Sequence, residues 1–139
     1  MSKKRAEVAC MSYGQYTNWD KESKDLPELV EITDTIEARL GVEFGYILEI
    51  RKGKGKTLQF RIEHPPFKDD EGKVRPPFEG EYFINSNPHQ FYLGDCIWAP
   101  VEDKTGIWRM ITYLDGQIVA DRSFKLIAPV QENLEEDIQ

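Results

Sequence analysis

The chain has 139 residues, 40% of them aliphatic, aromatic or cysteine and 31% charged, a balance that fits one globular domain and argues against disorder. Acids outnumber bases 25 to 18, for a formal net charge of −7, which argues against nucleic-acid partners, because phosphate-tracking surfaces concentrate Lys and Arg. No segment reaches the ~20 apolar residues of a membrane helix, so no membrane partner is expected either.

The start, MSKKRAEVAC, carries Lys3, Lys4 and Arg5 without an apolar stretch of signal-peptide length behind them, so the expectation is a cytoplasmic protein. Ala6–Thr17 is rich in β-formers, and Asn18–Pro27 is a polar segment that reads as a loop and holds Trp19. Leu29–Ile36 (LVEITDTI) reads as a strand, because Val30 and Ile32 alternate with acids and Thr33 and Thr35 favour a pleat. The alternative is the opening of a short helix through Arg39. Gly41 and Gly45 lack the spacing of a dinucleotide fingerprint and mark a bend into the next strand.

From Tyr46 to Arg51 the period is two, with Tyr46, Leu48 and Ile50 on one face. The alternation is cleaner from Thr57 to Glu63, where Leu58, Phe60 and Ile62 oppose Gln59, Arg61 and Glu63. Lys52-Gly53-Lys54-Gly55-Lys56 between them predicts a β-hairpin. The basic run Arg51–Lys56 lacks P-loop spacing, so a solvated turn is the reading preferred over an anion cradle.

The segment from His64 to Gly80 (HPPFKDDEGKVRPPFEG) is the most unusual. Pro65-Pro66-Phe67 recurs as Pro76-Pro77-Phe78 around an acidic turn. Paired prolines fix φ and remove amide donors, so the chain is stiff here and does not join a central strand. Two readings follow for Phe67 and Phe78: they fold back and cap the core, or a rigid loop presents them to a partner or ligand. Asp69-Asp70-Glu71-Gly72 lacks the alternating oxygen ligands of a calcium loop and reads as a polar tip.

Glu81–Asn85 and Gln90–Ala99 are further strands, the second with a bulge or kink suggested at Gly94-Asp95. Ile107–Leu114 and Gln117–Ile127 form the clearest hairpin, joined by Asp115-Gly116, which suits a type I′ turn. Trp108, Met110, Thr112 and Leu114 share one face of its first arm, and Ile118, Ala120, Phe124 and Leu126 are evenly spaced on the second. Trp98 and Trp108 lie inside strand patterns and are assigned to the core, whereas Trp19 sits in a polar stretch. The tail from Gln131 to Gln139 is acidic and reads as frayed. The sum is an all-β chain: a single antiparallel β-sandwich of about seven strands over residues 1–139.

Candidate chemistry is sparse. His64 and His89 have no histidine or cysteine at metal-ligand spacing, so neither a metal nor another cofactor is expected. No nucleophile elbow occurs, and no catalytic residue is assigned. Cys10 and Cys96 are read as two reduced thiols, with a disulfide between early and late strands as the alternative.

Four runs carry a family resemblance: Ile32–Tyr46 (ITDTIEARLGVEFGY), Phe60–Phe67 (FRIEHPPF), Pro76–Tyr82 (PPFEGEY) and Trp98–Phe124 (WAPVEDKTGIWRMITYLDGQIVADRSF). Together they resemble a family of small bacterial proteins defined only as a domain of unknown function. The resemblance implies an immunoglobulin-like sandwich and a bacterial origin, and implies no reaction. The closing hairpin is also similar to the last two strands of many bacterial immunoglobulin-like domains. The functional expectation is a non-catalytic module that binds a protein or peptide, with Phe67, Phe78 and Trp19 as binding residues and strand addition at a sheet edge as one mode. The alternatives are a carbohydrate or small-ligand module using Trp19 and loop aromatics, and a hydrolase with His64 or His89 as base.

Overall fold

A computed structural model describes residues 5–20 and 25–129. The expected tail at 131–139 and part of the polar loop at 18–27 lie outside these residues. Nine strands are described: β1 (Glu7–Tyr16), β2 (Leu29–Glu31), β3 (Thr35–Glu37), β4 (Glu43–Arg51), β5 (Thr57–Glu63), β6 (Phe78–Phe83), β7 (His89–Cys96), β8 (Gly106–Leu114) and β9 (Gln117–Ile127). They form one sheet in the order β2-β1-β4-β7 and another in the order β3-β9-β8-β5-β6. The all-β, two-sheet expectation therefore holds.

The inner faces meet in one core. Phe44, Leu48 and Ile50 of β4 pack with Leu58 and Ile62 of β5, Trp108 and Met110 of β8, and Phe124 and Leu126 of β9. Phe44 stands edge-on to Trp108 and Phe124, with ring centroids 5.4 and 5.5 Å away. Each large apolar side chain removed from water in this way contributes about 1.5–3 kcal/mol. Tyr46 crosses the core to place its hydroxyl 2.7 Å from Thr112 Oγ1, satisfying both polar groups in the interior. Ile47 points the other way, but it too is buried, because Tyr16 and Tyr92 pack over it on the outer face. The strand is thus covered on both sides.

Four expectations change. The Lys52–Lys56 connector is not a hairpin: β4 pairs with β1 and β7, whereas β5 pairs with β6 and β8, so the connector passes from one sheet to the other. Leu29–Ile36 is not one strand. It splits at Ile32–Asp34 into β2, which pairs with β1, and β3, which pairs with β9 in the opposite sheet; this split brings the described strands to nine, against about seven expected. The β3–β9 pairing is parallel, so the second sheet is mixed rather than purely antiparallel. Finally, Ile118 is exposed. The β8–β9 register shifts between Thr112 and Tyr113, leaving Val119 as an extra residue that turns Ile118 outward, opposite Tyr113.

The two cysteines are free. Cys10 pairs with Leu48 and Cys96 with Glu43, on opposite flanks of β4. Five positions along a strand are roughly 16 Å, well beyond disulfide reach. No helix among the described residues is long and apolar enough to cross a membrane.

Candidate binding site

β6 and β7 are each the last strand of their sheet and do not pair with one another; they touch at the Tyr82 end, where that ring lies 4.9 Å from Phe91, and stand apart beyond it. The gap is a cleft of about 580 Å³ whose walls include Phe60 and Ile62 of β5, Phe78 and Tyr82 of β6, and Phe91 to Asp95 of β7. Trp19 and Trp98 complete the apolar wall, Arg75 and Asp95 supply its charges, and Glu81 stands on its rim. Residues directly opposite one another on paired strands share a face. Phe78 and Tyr82 lie opposite Ile62 and Leu58, so both point inward while Glu79 and Glu81 point out. Gly80 lies opposite Phe60, and the Phe60 ring lies across it so closely that a Cβ there would sit 2.5 Å from its Cζ. A side chain at position 80 would push that ring out of the cleft wall.

Trp19 reaches the cleft through a buried polar pair that the sequence reading missed. Glu43 is buried, accepting a 2.7 Å hydrogen bond from the Tyr92 hydroxyl and a 3.4 Å bond from the Trp19 amide. The Trp19 indole N–H donates to Asp25 O at 3.3 Å, and its ring stands edge-on to Tyr92 with centroids 5.0 Å apart. Burial, then the adjacent Glu43 charge, pushes the Tyr92 hydroxyl far above the ordinary tyrosine range, so it remains a donor. Gly94 makes this possible, since the Tyr92 hydroxyl occupies the space a side chain there would need. The sequence clues are Gly94 in mid-strand, which suggests a bulge or kink but stands in unbroken register opposite Gly45, and Glu43 within an apolar run.

The three sequence-selected residues separate. Trp19 and Phe78 both line the cleft. Phe67 does not line it: it is 4% exposed, standing edge-on beneath Trp98 at 5.3 Å and stacked on His64 at 4.2 Å. Lys104 is buried with it. Its ammonium lies 4.7 Å over the Phe67 ring and 4.5 Å over Trp98, donating to Pro100 O at 2.8 Å and to Asp103 Oδ1 at 2.6 Å. Trp108 is fully buried, whereas Trp98, assigned to the core, is half-buried with one side in the cleft.

Both histidines have their ring nitrogens engaged. His64 Nδ1 is 2.7 Å from Pro65 O and Nε2 is 2.8 Å from Pro76 O, so the ring clasps the first proline of each repeat. A neutral imidazole has one N–H and serves one carbonyl at a time; the imidazolium serves both. His89 has Ser86 Oγ 2.6 Å from Nδ1 and Tyr82 Oη 2.6 Å from Nε2, which ties the corner between β6 and β7. Burial holds His89 below the usual histidine value and Tyr82 above the usual tyrosine value. The imidazole thus lies between two hydroxyls, and among the described residues no carboxylate bonds it as one does the histidine of a serine triad.

A second depression, of about 720 Å³, lies on the outer face of the β5–β6 region. Most of its charges are occupied with one another, since Arg61 bridges Glu63 at 3.1 Å and Glu79 at 2.6 Å, while Glu81 on its rim accepts from Gln59. The network continues through Arg109, whose pairing with Asp121 at 2.6 Å holds that carboxyl below its ordinary value. The β6–β7 cleft is the better-formed site.

Residues 4–126 match the model of a domain of unknown function, DUF3859, and the chain belongs to that family. Among solved structures, the crystal structure of an immunoglobulin-like protein from Pseudomonas aeruginosa superposes with a TM-score of 0.68 at 20% identity, covering 87% of this chain and 97% of that one. The fold is therefore immunoglobulin-like. No curated protein matches the chain.

Proposed function

We propose that this member of the family is a binding module that takes an extended segment of polypeptide into the cleft between β6 and β7. The observation that carries the reading is the coincidence of an aromatic cleft with two sheet edges: Phe78, Tyr82, Phe91 and Leu93 present apolar surface beside strands that each pair on one side only. Main-chain groups of an edge strand supply affinity for an incoming strand, and pockets beside it select alternate side chains. The volume, about 580 Å³, suits a few side chains rather than a folded partner. The fold itself is neutral on the matter, because sandwiches of this kind host many activities. The two separated free thiols agree with a reducing compartment, and we place the module in the cytoplasm.

A random octapeptide library displayed to the immobilised protein tests the proposal. The expected result is a set of peptides retained by the wild type and lost with Trp19→Ala and with Phe78→Ala. Recovery of no peptide, or of peptides indifferent to both substitutions, overturns it. A sugar panel followed by tryptophan fluorescence is the control for the carbohydrate alternative, in which Trp19 and Trp98 would stack on a ring.

A further inference from the structure

The cleft reading leaves open which of its two edges takes the segment and what sequence that segment has. We infer that the segment adds to β6 as a further strand of the second sheet, and that its residues alternate between apolar and basic.

The two edges differ. The outer face of β7 is covered, since Tyr92 packs under Trp19 and beside Tyr16. β6 is uncovered beyond β5: among the described residues, no other strand pairs with it. Natural edge strands are usually protected by lysine, proline or a bulge. Both edge strands, β6 (FEGEYF) and β7 (HQFYLGDC), lack lysine and proline and pair without a register shift, and β6 differs in that its outer face carries the exposed Glu79 and Glu81 where that of β7 carries the Trp19–Tyr92 packing. Pro76 and Pro77 immediately before it lack amide donors, so an added ladder ends at Phe78. The docking strip is therefore Phe78–Phe83.

Side-chain pattern follows from alternation. Positions of the added strand that face the cleft meet Phe78, Tyr82 and the Phe60 ring across Gly80, and they are apolar. Positions that face outward lie beside Glu79, Glu81 and Phe83, all exposed. Glu79 already has Arg61, but among the described residues Glu81 pairs with no cation; its hydrogen bond is from Gln59 at 3.5 Å. Opposite charges across strands attract and like charges repel. The net charge of −7 favours the same cationic partner during encounter. A strand with apolar residues toward the cleft and Lys or Arg on its other face, where one of them meets Glu81, satisfies both faces.

The test uses two blocked octapeptides, one alternating valine with lysine and the other valine with glutamate, titrated at low salt while tryptophan fluorescence is followed. The lysine peptide is expected to bind about tenfold more tightly, and Glu81→Lys, an exposed change, is expected to erase that preference. Amide hydrogen exchange with the lysine peptide bound is expected to slow over Phe78–Phe83. Equal binding of the two peptides, or a glutamate preference, overturns the charge assignment while leaving the cleft reading intact. Slowing over His89–Cys96 instead overturns the choice of edge. If neither peptide binds, this inference fails, and the cleft reading rests on the octapeptide library alone.

Discussion

The tripeptide Pro-Pro-Phe occurs twice, and its two phenylalanines have different fates. Phe67 turns inward, roofed by Trp98 and His64 and capped by the Lys104 ammonium. Phe78, eleven residues later, opens β6 and remains half-buried on the cleft wall. Identical local stiffness has produced one core residue and one surface residue. The deciding difference lies after the repeat. Lys68 makes only an isolated bridge to Val74, so Phe67 belongs to a loop that folds back, whereas Phe78 enters the ladder with β5 and its position is set by Ile62 opposite. The prolines determine where the chain cannot pair; the partner strand determines where the ring goes.

Substitutions can break that contrast. Phe67→Ala is expected to cost the most, about 3–5 kcal/mol as a buried aromatic truncation, read as a lowered urea midpoint with an unchanged slope. His64→Ala comes next. It removes the ring that touches both repeats and leaves Pro76 O without its donor, while Pro65 O keeps the Phe67 amide at 2.7 Å, for an expected loss of about 1–3 kcal/mol in the same assay. Phe78→Ala is expected to cost about 1–2 kcal/mol, because only part of its surface is removed from water. A loss equal to that of Phe67→Ala would mean that the two rings are equivalent after all.

The smallest effect lies at the other end of β6. His89 is held neutral by burial, so its folded-state pKa is below the unfolded value. The unfolded chain then binds the proton first, and stability is lost as pH falls through about 6.5 toward the lower folded value. Thermal midpoints measured across that range should decline more steeply in the wild type than in His89→Gln. Parallel curves would show that the Ser86–His89–Tyr82 tie carries no pH dependence.

The strands were legible where one face is wet. The alternation from Thr57 to Glu63 and the Asp115-Gly116 turn correspond to β5 and to the β8–β9 hairpin. What local pattern could not convey is which sheet a strand enters. Lys52–Lys56 has the composition of a tight turn and does reverse the chain, yet it delivers β5 to the opposite layer, because Leu58 and Ile62 bury equally well on either side of the core. The same holds for Leu29–Ile36, whose break between the sheets carries no proline or glycine. The cleft was half visible. Trp19 stood out as an aromatic in a polar stretch and Phe78 as the end of a stiff one, but the β7 wall and the buried Glu43–Tyr92 bond arise only when strands distant in sequence become neighbours.

The order in which the strands alternate between layers also has a kinetic consequence. The path changes sheet at β2–β3, β3–β4, β4–β5, β6–β7 and β7–β8, so only three consecutive pairs are nearest neighbours. Such a weave keeps sequence-local pairing to a minimum, and chains of high contact order fold in milliseconds to seconds rather than microseconds. The edge of β5 awaits β8, and β4 awaits β7, so a nascent chain emerging from the ribosome cannot complete its first sheet before Cys96 or its second before Ile127. Until then its stickiest strands stand open to other chains.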